Sequence, residues 1–264
     1  MKKMITSNRK TDDGLLQYKN QRYNFHRLLT LILFAFYLTP VHSADKYQYE
    51  YFEGQHGYFK ELILGRYANN NDKRVWKWVD DINIFVKGKI PTVLSRELDK
   101  IIVELNHISG PIRLERVASE DQANYFMFFE SGEAYLRFEP NAPSKRVEKG
   151  AAIYLNKNTD YEISNGSMYI DLAIFEDNTF RKYWLRKLLS HSLGTRYPAP
   201  YYVDSVFSSL PYREITLRYS NLDKTIIKKL YSKCVKAGMD KYELDDVLLN
   251  GCWPTIKVWH MAIC

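Results

Sequence analysis

The sequence has few cysteines and no long apolar run, and each shortage argues against a class of protein. All three cysteines (Cys234, Cys252 and Cys264) lie in the last 31 residues, and none forms a Cys-x-x-Cys pair. A redox site or a zinc knuckle is therefore not expected. The longest apolar run, 28–38, is shorter than the roughly 20 residues that a membrane-spanning helix needs.

The net positive charge is also small once the N-terminal segment is set aside. The chain carries 38 Lys+Arg and 31 Asp+Glu, of which residues 1–43 hold seven and two. The rest of the chain therefore has 31 basic and 29 acidic residues, a net charge of +2. It contains no Gly-rich phosphate loop and no basic groove with interleaved aromatic residues, so nucleic acid is not expected as a partner.

Residues 1–43 are predicted to form a signal peptide. A basic leader precedes the uncharged run 28–38, and the small-residue pattern that ends in Ser43 and Ala44 suits signal-peptidase cleavage. Because the leader is long, an uncleaved anchor over residues 28–44 stays open as the alternative. We expect a periplasmic or secreted protein that contacts the membrane only if this segment is retained.

The cysteines of an exported chain are expected to form one disulfide. The spacing allows Cys234–Cys252 and Cys252–Cys264, and the sequence does not choose between them. The third cysteine is then free or pairs with another chain.

The pattern after residue 75 predicts an α+β domain. Ile82, Ile84 and Val86 alternate as in a strand, and a helix follows from Thr92 to the break at Gly110. Its apolar stripe comprises Leu94, Leu98, Ile101, Ile102, Leu105 and Ile108. Further strands are predicted at 112–117, 124–130, 135–139, 151–155 and 168–175. We divide the chain into the leader 1–43, an irregular and partly helical lead-in over 44–75, the domain 76–250, and a cysteine-containing tail over 251–264.

Three more helices are predicted in the second half of the domain. The first spans 178–193, with a cap at Asn178 or Thr179 and Gly194 as its C′ residue. A loop rich in Tyr and Pro, 196–212, follows. The second helix is predicted to be capped by Asn221, with Lys224, Lys228 and Lys229 facing solvent, and the third to begin at the capping box of Asp240 and Glu243.

The end of the predicted helix 178–193 carries a sequence pattern that can be compared with a catalytic motif. Metzincin zinc peptidases have His-Glu-x-x-His-x-x-Gly-x-x-His at such a place, with three metal ligands and a glutamate base. Laid on that template, the sequence matches His191 and Gly194. Lys187 stands at the first ligand, Leu188 at the base and Tyr197 at the third ligand.

Residues 76–249 resemble an uncharacterised family of exported bacterial proteins with a degenerate metzincin-like domain. The segments that carry the resemblance are 78–84, 107–110, 123–124, 193–194, 204–207, 230–231 and 238–239. The family typically has Glu-Glu-x-x-Gln where peptidases have His-Glu-x-x-His, and this sequence departs from both patterns. The resemblance implies a zincin-type fold with a mixed sheet, a long N-terminal helix and a degenerate active-site helix. It transfers no catalytic role.

We therefore expect a non-catalytic binding protein, a pseudo-peptidase without a cofactor, whose partner is a peptide, protein or glycan of the cell envelope. The predicted binding residues are His191, Tyr197, Tyr201, Tyr202 and Tyr212. Tyrosines offer large amphipathic contacts at a small entropy cost, although packing over the domain explains them equally well. The alternative is a divergent metallopeptidase in which zinc is bound by His191 with Asp204 or His260.

Overall fold

The computed structural model describes residues 54–65, 73–175, 177–200, 202–209 and 215–250. All of them belong to one compact unit that begins at residue 54. The predicted leader 1–43 and its anchor alternative 28–44 lie outside the described residues, as does the tail 251–264 with Cys252, His260 and Cys264.

Seven α-helices and five strands make up the described part of the chain. The helices are α1 (54–64), α2 (Thr92–Ser109), α3 (Gly132–Phe138), α4 (Ser144–Val147), α5 (Asn178–His191), α6 (Asn221–Leu230) and α7 (Lys241–Asn250). The strands are β1 (Ile82–Lys87), β2 (Leu114–Arg116), β3 (Tyr125–Phe128), β4 (Ala151–Lys157) and β5 (Ile163–Ile170). A 3₁₀ turn, Glu120–Gln122, precedes β3.

The strands form one mixed sheet in the order β2-β1-β3-β5-β4. The first three pairings are parallel, and β4 runs antiparallel to β5 at one edge. The predicted α+β class and mixed sheet are confirmed. Because β4 is the last strand, only its β5 side is paired among the described residues.

The long helix α2 confirms the sequence prediction in detail. It spans Thr92–Ser109, and all six residues of the predicted apolar stripe are buried. They join the main hydrophobic core together with Ile82 and Ile84 of β1 and with Leu185 and Leu189 of α5. A period of 3.6 residues places the stripe on one helix face, which explains why the sequence pattern was sufficient.

The prediction of a strand at 135–139 is wrong, because these residues belong largely to helix α3. The Ser131 side chain accepts a hydrogen bond from the Ala134 amide and caps the helix. Tyr135 is buried by stacking on Tyr169, with ring centroids 5.2 Å apart. A short helix with several aromatic side chains resembles a strand in composition, and only its cap distinguishes it.

The predicted strand 168–175 is displaced toward the N-terminus. Strand β5 spans Ile163–Ile170 and pairs with β4 in a hairpin, so part of the predicted polar loop is strand. Ser164 and Asn165 are exposed at this end of the hairpin. Because both residues are polar, this part of the strand lacks the alternating apolar residues from which a strand is predicted.

Two of the predicted helix caps are one residue too late. Asp177 caps α5, since its side chain accepts from the Phe180 amide 3.1 Å away. Ser220 caps α6 in a capping box with Asp223. The capping box of Asp240 and Glu243 before α7 is as predicted. Asp and Ser are as good at the N-cap as the residues that follow them, so composition alone does not identify the position.

Lys229 is buried, contrary to the prediction that it faces solvent. Its residue is 3 % exposed, and burial lowers the pKa of its ammonium group. Burial lowers the pKa of His56 on α1, and the charge of Lys229 lowers it further. Helix α1 therefore lies close to Lys229. This helix lies within the predicted lead-in 44–75, and Phe59, Leu62 and Ile63 on it are fully buried.

Two other predictions concern export and the disulfide. No helix among the described residues is long and apolar enough to cross a membrane. Cys234 follows α6 in the described part, whereas Cys252 and Cys264 lie outside it. The disulfide therefore stays a prediction.

Candidate functional site

A cleft of about 430 Å³ lies between the edge strand β4 and the last turns of α5. Its lining residues come from the α4 region, β4, α5 and the loop after α5. They are Pro143, Arg146, Ala151, Ala152, Ile153, Tyr183, Trp184, Lys187, Leu188, His191, Arg196, Pro198, Ser208 and Ser209. Three residues that the sequence analysis singled out, Lys187, Leu188 and His191, therefore line this cleft. Its volume is in the range of ligand-binding pockets.

The end of α5 is held by close contact with the chain before β1. Gly194 has a φ of +116°, and a β-carbon added there would lie 2.3 Å from the carbonyl oxygen of Trp76. Only glycine fits both the conformation and the contact. The Trp78 indole N–H donates to the carbonyl of Ser192 at 2.8 Å, and the Tyr231 hydroxyl donates to that of Leu193 at 2.8 Å. These contacts fix the direction in which the chain leaves the helix.

His191 is a buried and neutral imidazole. It is 4 % exposed, and burial together with the charge of Lys187 lowers its pKa to about 3. Nδ1 bonds to the carbonyl oxygen of Thr195, so Nδ1 carries the proton and Nε2 is an acceptor. Nε2 is buried and has no hydrogen-bond partner among the described residues. The side chain thus presents an unused acceptor within the residues that line the cleft.

Lys187 lies one helical turn before His191 and also lines the cleft. It is 8 % exposed, and burial, with the nearby charge of Arg146, lowers its pKa to about 8. Nζ donates to the Tyr183 hydroxyl at 3.1 Å and to the carbonyl oxygen of Ser208. Both partners are neutral oxygens. Lys187 occupies the position predicted for the first metal ligand, and its ammonium group would repel a metal ion there.

The predicted tyrosines are not brought together at the cleft. Tyr197 donates its amide to the Leu62 carbonyl at 3.1 Å, and Tyr202 packs edge-on against Tyr58 with centroids 4.5 Å apart. Both therefore contact α1, and neither is among the cleft-lining residues. Tyr201 and Tyr212 lie outside the described residues. A role in binding stays a prediction for all four.

A buried carboxylate that the sequence analysis overlooked holds the loop beside the cleft. Asp223 is fully buried and accepts from the Ser205 hydroxyl at 2.6 Å and from the Ser220 amide at 2.8 Å. Ser205 in turn accepts from the Tyr58 hydroxyl at 3.0 Å. The pattern Ser220-x-x-Asp223, a capping box, was the available signal. Asp223 thereby connects α6 and α1 to the loop that carries Ser208.

A second overlooked group is Arg186, which is fully buried between α5 and α2. Its guanidinium donates to Glu97 at 2.9 Å and to Glu104, and it lies 4.6 Å from the centroid of the Tyr219 ring. The signal available in the sequence was an arginine beside the apolar residues Leu185 and Leu189. The group is structural, because it joins two helices away from the cleft.

No three or more His, Cys, Asp or Glu side chains within the described ranges are grouped so that they could hold a metal ion. Asp204, a ligand of the metallopeptidase alternative, is exposed and does not line the cleft. His260, the other candidate, lies outside the described residues. The described residues of the cleft thus offer one neutral nitrogen, which is fewer ligands than a catalytic zinc site uses.

Comparison with known proteins identifies a family. The model of the family described as "Protein of unknown function (DUF2927)" matches residues 55–250. The match includes α1 and ends with α7. No curated protein matches the chain.

Proposed function

We propose that this chain, which belongs to the DUF2927 family of proteins of unknown function, is a non-catalytic binding protein on a degenerate metallopeptidase scaffold. The observation that carries the proposal is the cleft itself. It has a strand edge along one side, and a buried lysine stands at the position where a peptidase has its first metal ligand.

The edge strand favours an extended peptide over a glycan as the ligand. Ala151, Ala152 and Ile153 of β4 line the cleft, and β4 is paired only with β5 among the described residues. An unpaired strand edge offers backbone donors and acceptors to an added strand, and pockets beside it select side chains. Trp184 and Leu188 supply apolar surface within the same cleft.

The metzincin likeness is part of this proposal. It is supported by the mixed sheet with one antiparallel edge strand, by the long helix α2, and by the position of α5 beside the cleft. A hydrolytic role is disfavoured by Leu188 at the position of the base, since its side chain cannot transfer protons.

Binding is tested with the full chain and a library of blocked, randomised pentapeptides. We expect micromolar binding without cleavage and slower hydrogen exchange at the amides of Ala151–Ile153. Mass spectrometry of the recovered peptides measures cleavage. Cut peptides would overturn the non-catalytic assignment, and absence of binding would overturn the peptide assignment.

The divergent metallopeptidase is the second candidate, and the unused Nε2 of His191 is the observation that favours it. A neutral imidazole nitrogen is a common zinc ligand. About one zinc per purified chain, lost in His191→Ala, would support this candidate. Metal at background level in both proteins would contradict it.

We further propose that the chain is exported and carries one disulfide, either Cys234–Cys252 or Cys252–Cys264. The ordering of the leader supports export, and the position of the cysteines supports the disulfide. N-terminal sequencing of the protein from the envelope should begin at residue 44 or 45, and a retained leader would indicate the anchored form. Peptide mapping without reductant identifies the linked pair.

A further inference from the structure

We propose that the cleft selects acidic peptides, with a carboxylate of the ligand bound between Lys187 and Arg146. The inference rests on the proposed binding function and adds the chemical class of the ligand.

The charges that line the cleft are of one sign. Arg146, Lys187 and Arg196 are cationic, and no Asp or Glu is among the described residues that line it. Residues 44–264 as a whole, these three cations included, carry a net charge of only +2. The concentration of positive charge is thus local, and such a cleft attracts anionic partners.

Lys187 supplies the position at which the carboxylate would bind. An ammonium group has three hydrogens to donate, and the Tyr183 hydroxyl and the Ser208 carbonyl accept two of them. The buried carboxylate of Asp223 raises the lysine pKa, but by less than burial and Arg146 lower it. A buried cation whose hydrogen-bond partners are neutral is costly, and a ligand carboxylate offsets that cost. The pKa of about 8 leaves Lys187 mainly protonated at neutral pH.

Arg146 and His191 complete the arrangement. Arg146 is an exposed residue of α4, and it lies near enough to Lys187 for its charge to lower the lysine pKa. His191 is an acceptor at Nε2, so it suits a donor such as a peptide N–H next to the acidic side chain. An acidic residue in an extended peptide offers both groups, and the β4 edge accommodates its backbone.

The neighbouring loop makes Lys187 part of a built site. Ser208, which accepts from Lys187, belongs to the loop that Asp223 holds through Ser205. The Val206 amide also points to Asp223, at 3.4 Å. The position of the ammonium group is thus set from both sides of the cleft by the fold rather than by a flexible surface chain.

The test compares three arrays of blocked pentapeptides that differ only in a central Glu, Gln or Lys. The full chain is applied at neutral pH, and bound protein is measured by fluorescence. We expect the Glu array to bind about tenfold better than the Gln array. The same preference should fall to less than about twofold in Lys187→Met and should persist in Lys182→Met, a lysine of α5 that does not line the cleft.

The possible results separate the inference from the proposed function. Equal binding to Glu and Gln arrays would overturn the acidic preference and leave the peptide-binding function standing. No binding to any array, with binding to an oligogalacturonate, would overturn both in favour of an acidic glycan. A Glu preference retained in folded Lys187→Met would also overturn the inference. Lys187→Gln, checked by thermal unfolding, replaces Lys187→Met if the latter does not fold.

Discussion

Two adjacent residues of α5 bury cations in different surroundings. Arg186 lies against α2, where Glu97 and Glu104 accept its hydrogen bonds. Lys187 faces the cleft, where its two hydrogen-bond acceptors are neutral oxygens. Both residues are buried, at 0 % and 8 % exposed. The helix therefore has one side on which carboxylates bond directly to the cation and one side on which the cation has only neutral hydrogen-bond partners and the weaker influence of Asp223.

The difference distinguishes a cation that stabilises the fold from a cation that can bind a ligand. A buried ion pair whose partners are both present joins elements and leaves nothing for a ligand to satisfy. A buried cation with neutral partners keeps a desolvation cost that a ligand can relieve. The comparison predicts that removal of Arg186 affects mainly folding and that removal of Lys187 affects mainly binding.

The largest expected effect comes from Arg186→Met. The change leaves Glu97 and Glu104 without their cation at a helix interface, so we expect a loss of roughly 2–4 kcal/mol in the free energy of unfolding. Urea unfolding measures it. Arg137→Met, which breaks an exposed pair with Glu133, should cost under about 0.5 kcal/mol. If the two variants lose equal stability, the buried network has no special role.

Asp223→Asn is expected to be the next most destabilising change. The amide keeps the shape but weakens the bonds from Ser205 and Ser220, at a cost of about 1.5–3 kcal/mol. Hydrogen exchange should also become faster in the loop 202–209. Asp177→Asn is the matched control, since Asn caps a helix as well as Asp does. Unchanged exchange in the loop would show that Asp223 does not hold it.

A smaller, pH-dependent effect is expected from His191. Its pKa is about 3 in the folded chain and 6.5 in the unfolded chain, so the unfolded state binds the proton first. The stability associated with the neutral imidazole is present above pH 6.5 and is lost as the pH falls toward 3. Between pH 6.5 and about 5.5 the loss should be about 1 kcal/mol.

The measurement compares urea unfolding of the wild type and of His191→Gln at these two pH values. The variant should lose less stability, because Gln does not titrate and other groups contribute equally to both proteins. Parallel losses would show that His191 becomes protonated without cost.

The smallest effect on stability is expected from Lys187→Met. An apolar side chain of similar length loses two hydrogen bonds but also removes a desolvated charge, so the net change should stay below about 1 kcal/mol. Thermal unfolding beside Arg186→Met gives the direct comparison. A loss as large as that of Arg186→Met would place Lys187 among the structural cations.

The local pattern of the sequence was sufficient for the long elements. The stripe of α2 and the alternation in β1 follow from periods of 3.6 and 2 residues, and both were predicted with their buried residues. Gly194 has a positive φ, as predicted from the preference for glycine after a helix, but α5 ends at His191, two residues before the predicted end. The prediction of a strand at 135–139 is wrong, because helix α3 has only seven residues. That length is too short for the spacing of apolar residues to distinguish a helix from a strand.

The site depended more on tertiary structure. The sequence indicated that Lys187 and His191 share a helix face, since residues four apart do so. It did not indicate that β4 and Ser208 would lie across from them, because those contacts join residues far apart in the chain. Nor did it show that Tyr197 and Tyr202 would pack against α1, whose residues had been assigned to a lead-in.

By itself the sequence determined the α+β class and the long helix, since both depend on neighbouring residues and their spacing. Only the tertiary structure decided which charges are compensated. Arg186 and Lys187 are adjacent in the chain, and both are buried cations of α5. Their surroundings differ because α2 places two carboxylates beside one of them, whereas the loop after α5 gives the other a neutral carbonyl oxygen.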